Sequence, residues 1–277
     1  MNSVVFPDGK WGLRPRLEER YKRIVLANSD AFSGKSVLDI AANNGRWTYA
    51  ALTAGAQHVT SIEGREDRAS EAVKLLNSYD YNGKYSCKVG DMYDFLYENR
   101  DSHFDTIMCL GVYYHVMDHY HFLKMMCRTS PDTIIIDSGF VRSFRNSIHV
   151  QFEDPDEHLN ALSVFEGQKS EPVGFVSLGL MIQMAWNLGY DCRPIVWDPN
   201  DIADKSVVHD YMMGRRFTLR LNKMDGHYDK DWKTHWEKAL ITVNEKFSLL
   251  MDTKTHDSIM DERSRKAKES AVFTLFE

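Results

Sequence analysis

The sequence predicts an α/β protein: a mostly parallel sheet with helices packed on both faces. Three observations carry that expectation. Short apolar runs alternate with stretches of helical period from residue 36 to residue 137, the order that calls for parallel strands joined by crossover helices. Two of the runs, Phe104-Asp105-Thr106-Ile107-Met108-Cys109-Leu110 and Thr133-Ile134-Ile135-Ile136-Asp137, are near-continuously apolar, as strands buried on both faces are. Each run also gives way to glycine, asparagine or an acid, the residue types that turn a chain and meet ligands.

In order, Ser36 to Ala42 reads as a first strand after the turn signal Ser33-Gly34-Lys35, and Gly45 to Ala54 as a helix closed by Gly55. His58-Val59-Thr60-Ser61-Ile62 is a β-branched second strand, and Arg65 to Ser78 a helix with Ala69, Ala72, Val73, Leu75 and Leu76 on its apolar side. Tyr85 to Val89 is a third strand, followed by a short helix over Met92 to Tyr97. The fourth strand, a helix over Asp118 to Arg128 and the fifth strand complete the regular part.

After Gly139 the rhythm breaks. Residues 140–173 are polar and show no clean period, and are expected to be either a substrate-recognition insertion or a surface excursion. A helix over Leu178 to Leu188, stopped by Gly189, and strand-like runs near Cys192–Trp197 and Arg216–Leu221 bring the strand count to seven. Residues 223–277 are expected to form a helical C-terminal extension, with Trp232, Trp236, Leu240, Val243, Phe247 and Leu250 spaced along one face.

Ligands in an open parallel sheet sit at the carboxyl ends of the strands, so the residues following each strand are the candidates. Strand one leads into Asp39-Ile40-Ala41-Ala42-Asn43-Asn44-Gly45, a turn of small residues that lets a ligand approach the backbone. Strand two ends in Glu63-Gly64, a carboxylate placed to accept from a ribose diol. Strand three ends in Gly90-Asp91-Met92, an acid and a flexible apolar side chain suited to an adenine amine and ring face. Strand four ends in Leu110-Gly111-Val112-Tyr113-Tyr114-His115, where glycine leaves room beside aromatics.

These four motifs, in this order and spacing, resemble the class I S-adenosylmethionine (SAM)-dependent methyltransferases. The resemblance covers residues 30–140 well and the later helix and two strands more loosely. It implies a Rossmann-like, mostly parallel seven-stranded sheet in a single domain spanning 1–277, with a core over about 30–222 and an N-terminal helical lid to which Trp11 or Arg14 contributes. It implies SAM as cofactor and S-adenosylhomocysteine (SAH) as product. Asp39, Ala41, Asn43 and Gly45 would surround the methionine portion, Glu63 and Gly64 the ribose, Asp91 and Met92 the adenine, with Leu110 and Gly111 beside the transferring methyl. His115 is the candidate catalytic base; Tyr113 and Tyr114 are assigned to the acceptor pocket, with core packing the plainer reading for either. One departure stands out: Ala41 and Asn43 occupy two positions where the family carries glycine. The G-x-G-x-x-G turn that a dinucleotide pyrophosphate needs is absent, which argues against a nicotinamide or flavin enzyme.

Plainer readings limit the remaining signals. The cluster His115, Asp118, His119 and His121 suggests a metal at first sight, but its members fall in a loop and a polar helix start, so no metal is expected. Arg14 to Arg23 interleaves acids with bases and reads as a solvated helix before an RNA-binding face. The net charge of −6 favours a small-molecule acceptor, methylated at O or N, over nucleic acid; a tRNA-modifying enzyme and a non-catalytic SAM-binding protein are the alternatives. Four scattered cysteines without a C-x-x-C pair, no apolar run long enough to span a membrane and no signal-peptide pattern point to the cytoplasm.

Overall fold

The computed structural model describes residues 6, 14–157, 159–163 and 165–225. Helix α1 (Arg14–Ile24) precedes strand β1 (Ser36–Ile40), followed by α2 (Arg46–Thr53), β2 (His58–Glu63), α3 (Glu66–Asn77), β3 (Tyr85–Val89) and α4 (Met92–Glu98). Then come β4 (Thr106–Leu110), α5 (His119–Arg128), β5 (Thr133–Gly139), β6 (Ile148–Glu153), β7 (Glu171–Val176), α6 (Leu178–Asn187), β8 (Tyr190–Pro194), α7 (His209–Met212) and β9 (Arg216–Lys223). Seven strands form one sheet in the order β3-β2-β1-β4-β5-β9-β8. The first five are parallel, and β9 runs antiparallel to both β5 and β8. The expected Rossmann-like sheet, with helices on both faces, is the one observed.

Neighbouring residues of the central strands feed opposite cores, the period-two consequence of the pleat. Leu38, Ile107, Ile134 and Ile136 join a core with α5 and α6, while Val37, Met108 and Ile135 join another with α1 and α2. Burial of such a side chain stabilises by about 1.5–3 kcal/mol. The register aligns the strand ends: Ile40 pairs with Ile62 and Cys109, and Leu110 with Asp137. The residues just beyond therefore share one rim.

The insertion departs from expectation. Residues 140–173 contain β6, which pairs antiparallel with β7 in a separate two-stranded sheet. Ile148-His149-Val150-Gln151-Phe152-Glu153 alternates strictly, so the signal was present; its apolar members lie on an exposed face, with Phe152 72% exposed. The run expected at Cys192–Trp197 begins earlier, at Tyr190, and ends at Pro194. Trp197 leaves the sheet, is buried, and stacks on Tyr211 at 3.7 Å between ring centroids.

Helix α1 is the larger correction. It is not a solvated basic helix: Leu17, Glu19, Arg20, Tyr21 and Ile24 are buried. Arg14 is exposed and stands outside the cavity described below, and Trp11 lies outside the described residues. So does the expected C-terminal helix, since description stops at residue 225.

Candidate active site

The turn after β1 takes the backbone shape its missing glycines would have favoured. Ala41 (φ 55°) and Asn43 (φ 53°) both adopt the left-handed region, followed by Gly45 (φ 77°). Asparagine tolerates that conformation, whereas alanine does so at a cost of about 1–2 kcal/mol. The turn is held across the rim by Glu63, whose Oε2 accepts from the Asn43 N–H at 2.7 Å and whose Oε1 accepts from the Arg65 N–H at 2.9 Å. At the end of β3, Asp91 caps α4, its Oδ1 accepting from the N–H groups of Tyr93 and Asp94 at 2.7 and 3.1 Å.

A cavity of about 520 Å³ opens along this rim, within the usual range for small-molecule sites. One end is walled by Ala41, Asn43, Glu63, Gly64, Asp91 and Met92, the other by Leu110, Gly111, Tyr114 and His115. Three expected site residues lie outside the wall. Asp39 is buried beneath it and accepts from the Thr48 hydroxyl at 2.7 Å; burial, against that hydrogen bond and with the charge of Glu63, pushes its carboxyl up to about 7. Gly45 permits helix contact instead, since a Cβ there would meet the Cβ of Ala72 at 2.9 Å. Tyr113 is a core residue, 0% exposed, with its hydroxyl donating to the His119 carbonyl at 3.1 Å. The short 3-10 turn over Tyr113–His115 sends successive side chains in different directions, so only Tyr114 and His115 reach the cavity.

His115 meets a partner from the insertion. Its Nδ1 lies 2.7 Å from Glu153 Oε2, an oxygen that also accepts from the Ala161 N–H at 3.0 Å. Against the upward push of burial, the His115 ring and the Ala161 N–H hold the Glu153 carboxyl below its ordinary range. The following residues Leu159, Asn160, Ala161 and Leu162 line the cavity near Gly64, and Arg65 Nη2 reaches the Asn160 carbonyl at 3.3 Å. The insertion is thus part of the site. The other histidines go elsewhere: His119 is buried, its imidazole pushed down to about 4 by desolvation, and His121 stacks near Tyr93.

The sequence reading missed a buried ionic cluster beside the rim. Asp137, 0% exposed at the end of β5, receives Arg20 Nη2 at 3.0 Å and Arg216 Nε at 2.5 Å on Oδ1. The hydroxyls of Tyr211 and Thr218 donate to Oδ2 at 2.6 and 2.8 Å. Burial pushes the carboxyl up, but the two guanidiniums and two hydroxyls outweigh it and bring it down to about 2. Arg20 also lies over the Trp47 ring at 4.7 Å, and Arg20, Trp47 and Arg216 all line the cavity. Its members come from α1, β5, α7 and β9, so no local motif could have announced it.

Residues 38–133 match the family model of a methyltransferase domain. A histone-arginine methyltransferase from Culex quinquefasciatus is 36% identical over 70 residues, a match spanning 25% of this chain and 12% of that relative. Among solved structures, the N-terminal domain of EvdMO1 with SAH bound superposes with a TM-score of 0.55 at 18% identity, covering 76% of this chain and 82% of that one. A SAM-dependent methyltransferase from Mesorhizobium loti gives a TM-score of 0.52 at 10% identity over 75% of this chain and 98% of its own. At such identities the structures share the fold, while the family model reaches the sequence motifs themselves. Residues 38–133, about a third of the chain, thus match a methyltransferase-domain model, on a fold shared with S-adenosylmethionine-dependent methyltransferases.

Proposed function

We propose that this protein transfers the SAM methyl group to an oxygen or nitrogen of a small-molecule acceptor by in-line displacement, with His115 as the base. The observation that carries this reading is the His115–Glu153 pair in the cavity wall. A carboxylate on Nδ1 fixes the tautomer that leaves Nε2 free to take a proton, and steadies the imidazolium once formed.

Bound SAM supplies an electrophilic methyl on a sulfonium, so the protein's share is alignment, dehydration and proton removal. The cavity fits that cofactor. Each Glu63 oxygen accepts one backbone N–H and keeps a lone pair for the ribose diol. Asp91 uses only Oδ1 in its capping bonds, leaving Oδ2 for the adenine amine, with Met92 against the ring. Ala41 and Asn43 shape the wall beside the methionine portion, while Asp39 and Gly45 support that turn from behind. Gly111, Tyr114 and His115 form the acceptor end.

An RNA acceptor is less favoured, since two bases of the Arg14–Arg23 strip are spent on the protein's own carboxylates, Arg16 on Asp210 and Arg20 on the buried Asp137. Among the described residues no helix is long and apolar enough to cross a membrane. The four cysteines are all free, which suits a reducing cytoplasm. The test is transfer from labelled SAM to a panel of hydroxy and amino compounds, run beside His115→Ala and a total-RNA control. Turnover should fall about 10²–10⁴-fold in the variant while SAH affinity is kept. Undiminished turnover in His115→Ala, or label entering only the RNA, would refute the assignment.

A further inference from the structure

Among the described residues, two arginines of the cavity wall have one buried carboxylate between them. Arg20 and Arg216 share Asp137, whose Oδ1 takes both guanidiniums and whose Oδ2 takes two hydroxyls. Of the other acids, Asp210 forms a two-pronged pair with Arg16 at 2.7 Å on each oxygen, Glu153 holds His115, and Glu171 of the cavity wall accepts from the Gln168 amide. Two cations against one carboxylate leave one net positive charge, at side chains only 10% and 14% exposed. A buried charge without its counterion is expensive and persists where a ligand supplies the opposite sign.

The two arginines face different parts of the site. Arg20 leans on Trp47 of α2, next to the Ala41–Asn43 turn, at the cofactor end. Arg216 stands at the start of β9, beyond β5, with Nη2 3.4 Å from where a Cβ on Gly111 would sit. Its Nε and Nη2 bind the Asp137 side chain and carbonyl, so Nη1 and the second Nη2 hydrogen make no bond to Asp137 in a side chain that lines the cavity. Tyr114 bridges the two ends of the acceptor site: its hydroxyl interacts with Arg216, and its ring lies 4.0 Å from that of His115.

Resting on the methyltransferase reading above, we infer that the acceptor is a small organic anion. Its carboxylate or similar group is held by Arg216 with Tyr114, and its nucleophilic hydroxyl or amine lies about one ring away at His115. The planar guanidinium favours a group that takes two parallel N–H bonds, which a carboxylate does.

Calorimetric titration of SAH-saturated protein with benzoate and with benzamide, its neutral isostere, tests this. Benzoate should bind at least about tenfold more tightly than benzamide. The preference should vanish in Arg216→Gln and survive in part in Arg216→Lys, which keeps the charge but not the fork. Equal binding of the two probes, no benzoate binding at saturating SAH, or mutual exclusion of benzoate and SAH would overturn the inference; the last result would assign the charge to the cofactor's own carboxylate. The wild-type comparison stands even where a variant fails to fold. Failure of SAH itself to bind would instead refute the methyltransferase reading.

Discussion

Replacing Asp137 with asparagine should remove the carboxylate that two buried guanidiniums share. The side chain is 0% exposed and receives Arg20, Arg216, Tyr211 and Thr218. Holding its carboxyl at about 2, against 3.8 in the unfolded chain, corresponds to roughly 2.5 kcal/mol of preference for the ionised form. Because the folded value is the lower one, that contribution is complete above 3.8 and fades as pH falls through 2. Substitution costs more than protonation, because an amide cannot neutralise the arginines and turns an N–H₂ toward at least one of its former donors. Breaking a buried pair in this way costs about 3–5 kcal/mol, a large part of the roughly 5–15 kcal/mol that holds a domain together. Urea unfolding followed by circular dichroism reads the difference directly, with Thr218→Val as a control that keeps the charge and loses two hydrogen bonds, to Asp137 and from Trp197, worth about 1–3 kcal/mol together. A loss below about 1 kcal/mol in Asp137→Asn would refute the account of the cluster, since it would mean that water already screens those charges.

Asp39 should act in the opposite sense. Its folded chain keeps the proton up to about pH 7 while the unfolded chain releases it near 3.8, so stability falls between those values, by roughly 4 kcal/mol at most. Asp39→Asn should flatten that slope, measured by urea unfolding at several pH values between 4 and 8. Ala41→Gly should stabilise the protein by roughly 0.5–1 kcal/mol, the relief of a left-handed alanine less the extra freedom of unfolded glycine; a destabilised variant would contradict the strained turn. Glu153→Gln should lower kcat about tenfold with KM little changed, measured by steady-state kinetics. An unchanged kcat would separate Glu153 from His115 function.

The sheet was legible because buried parallel strands read as apolar runs, and one wall of the cavity because its residues directly follow those runs. To place Glu63 and Asp91 on that wall needed only the rule that strand ends share a rim. The sequence was less informative where distance in the chain or a single turn decides the outcome. Asp137 lies 117 residues from Arg20 and 79 from Arg216, and nothing local marks an acid that will be shared. Tyr113 and Tyr114 are adjacent and chemically alike, so only the 3-10 turn distinguishes the core residue from the cavity residue. The basic composition of α1 masked its buried face, because Arg20 is turned inward by a carboxylate elsewhere in the fold. The alternation in β6 was readable, yet its apolar residues face outward and gave no core to assign them to.

The position of β9 also governs how the molecule can be made. It lies between β5 and β8, and among the described residues β8 has no other neighbour in the sheet. A chain emerging from the ribosome can pair β1 to β5 and so build the rim that carries Glu63 and Asp91 while the open edge of β5 waits and β8 has yet to meet β9. Arg216 arrives on β9, after the rim that carries Glu63 and Asp91. Synthesis therefore passes through a stage that has one wall of the cavity but lacks Arg216 in the other. Its unpaired backbone edge at that stage is the natural point for chaperone capture or for misassociation between nascent chains.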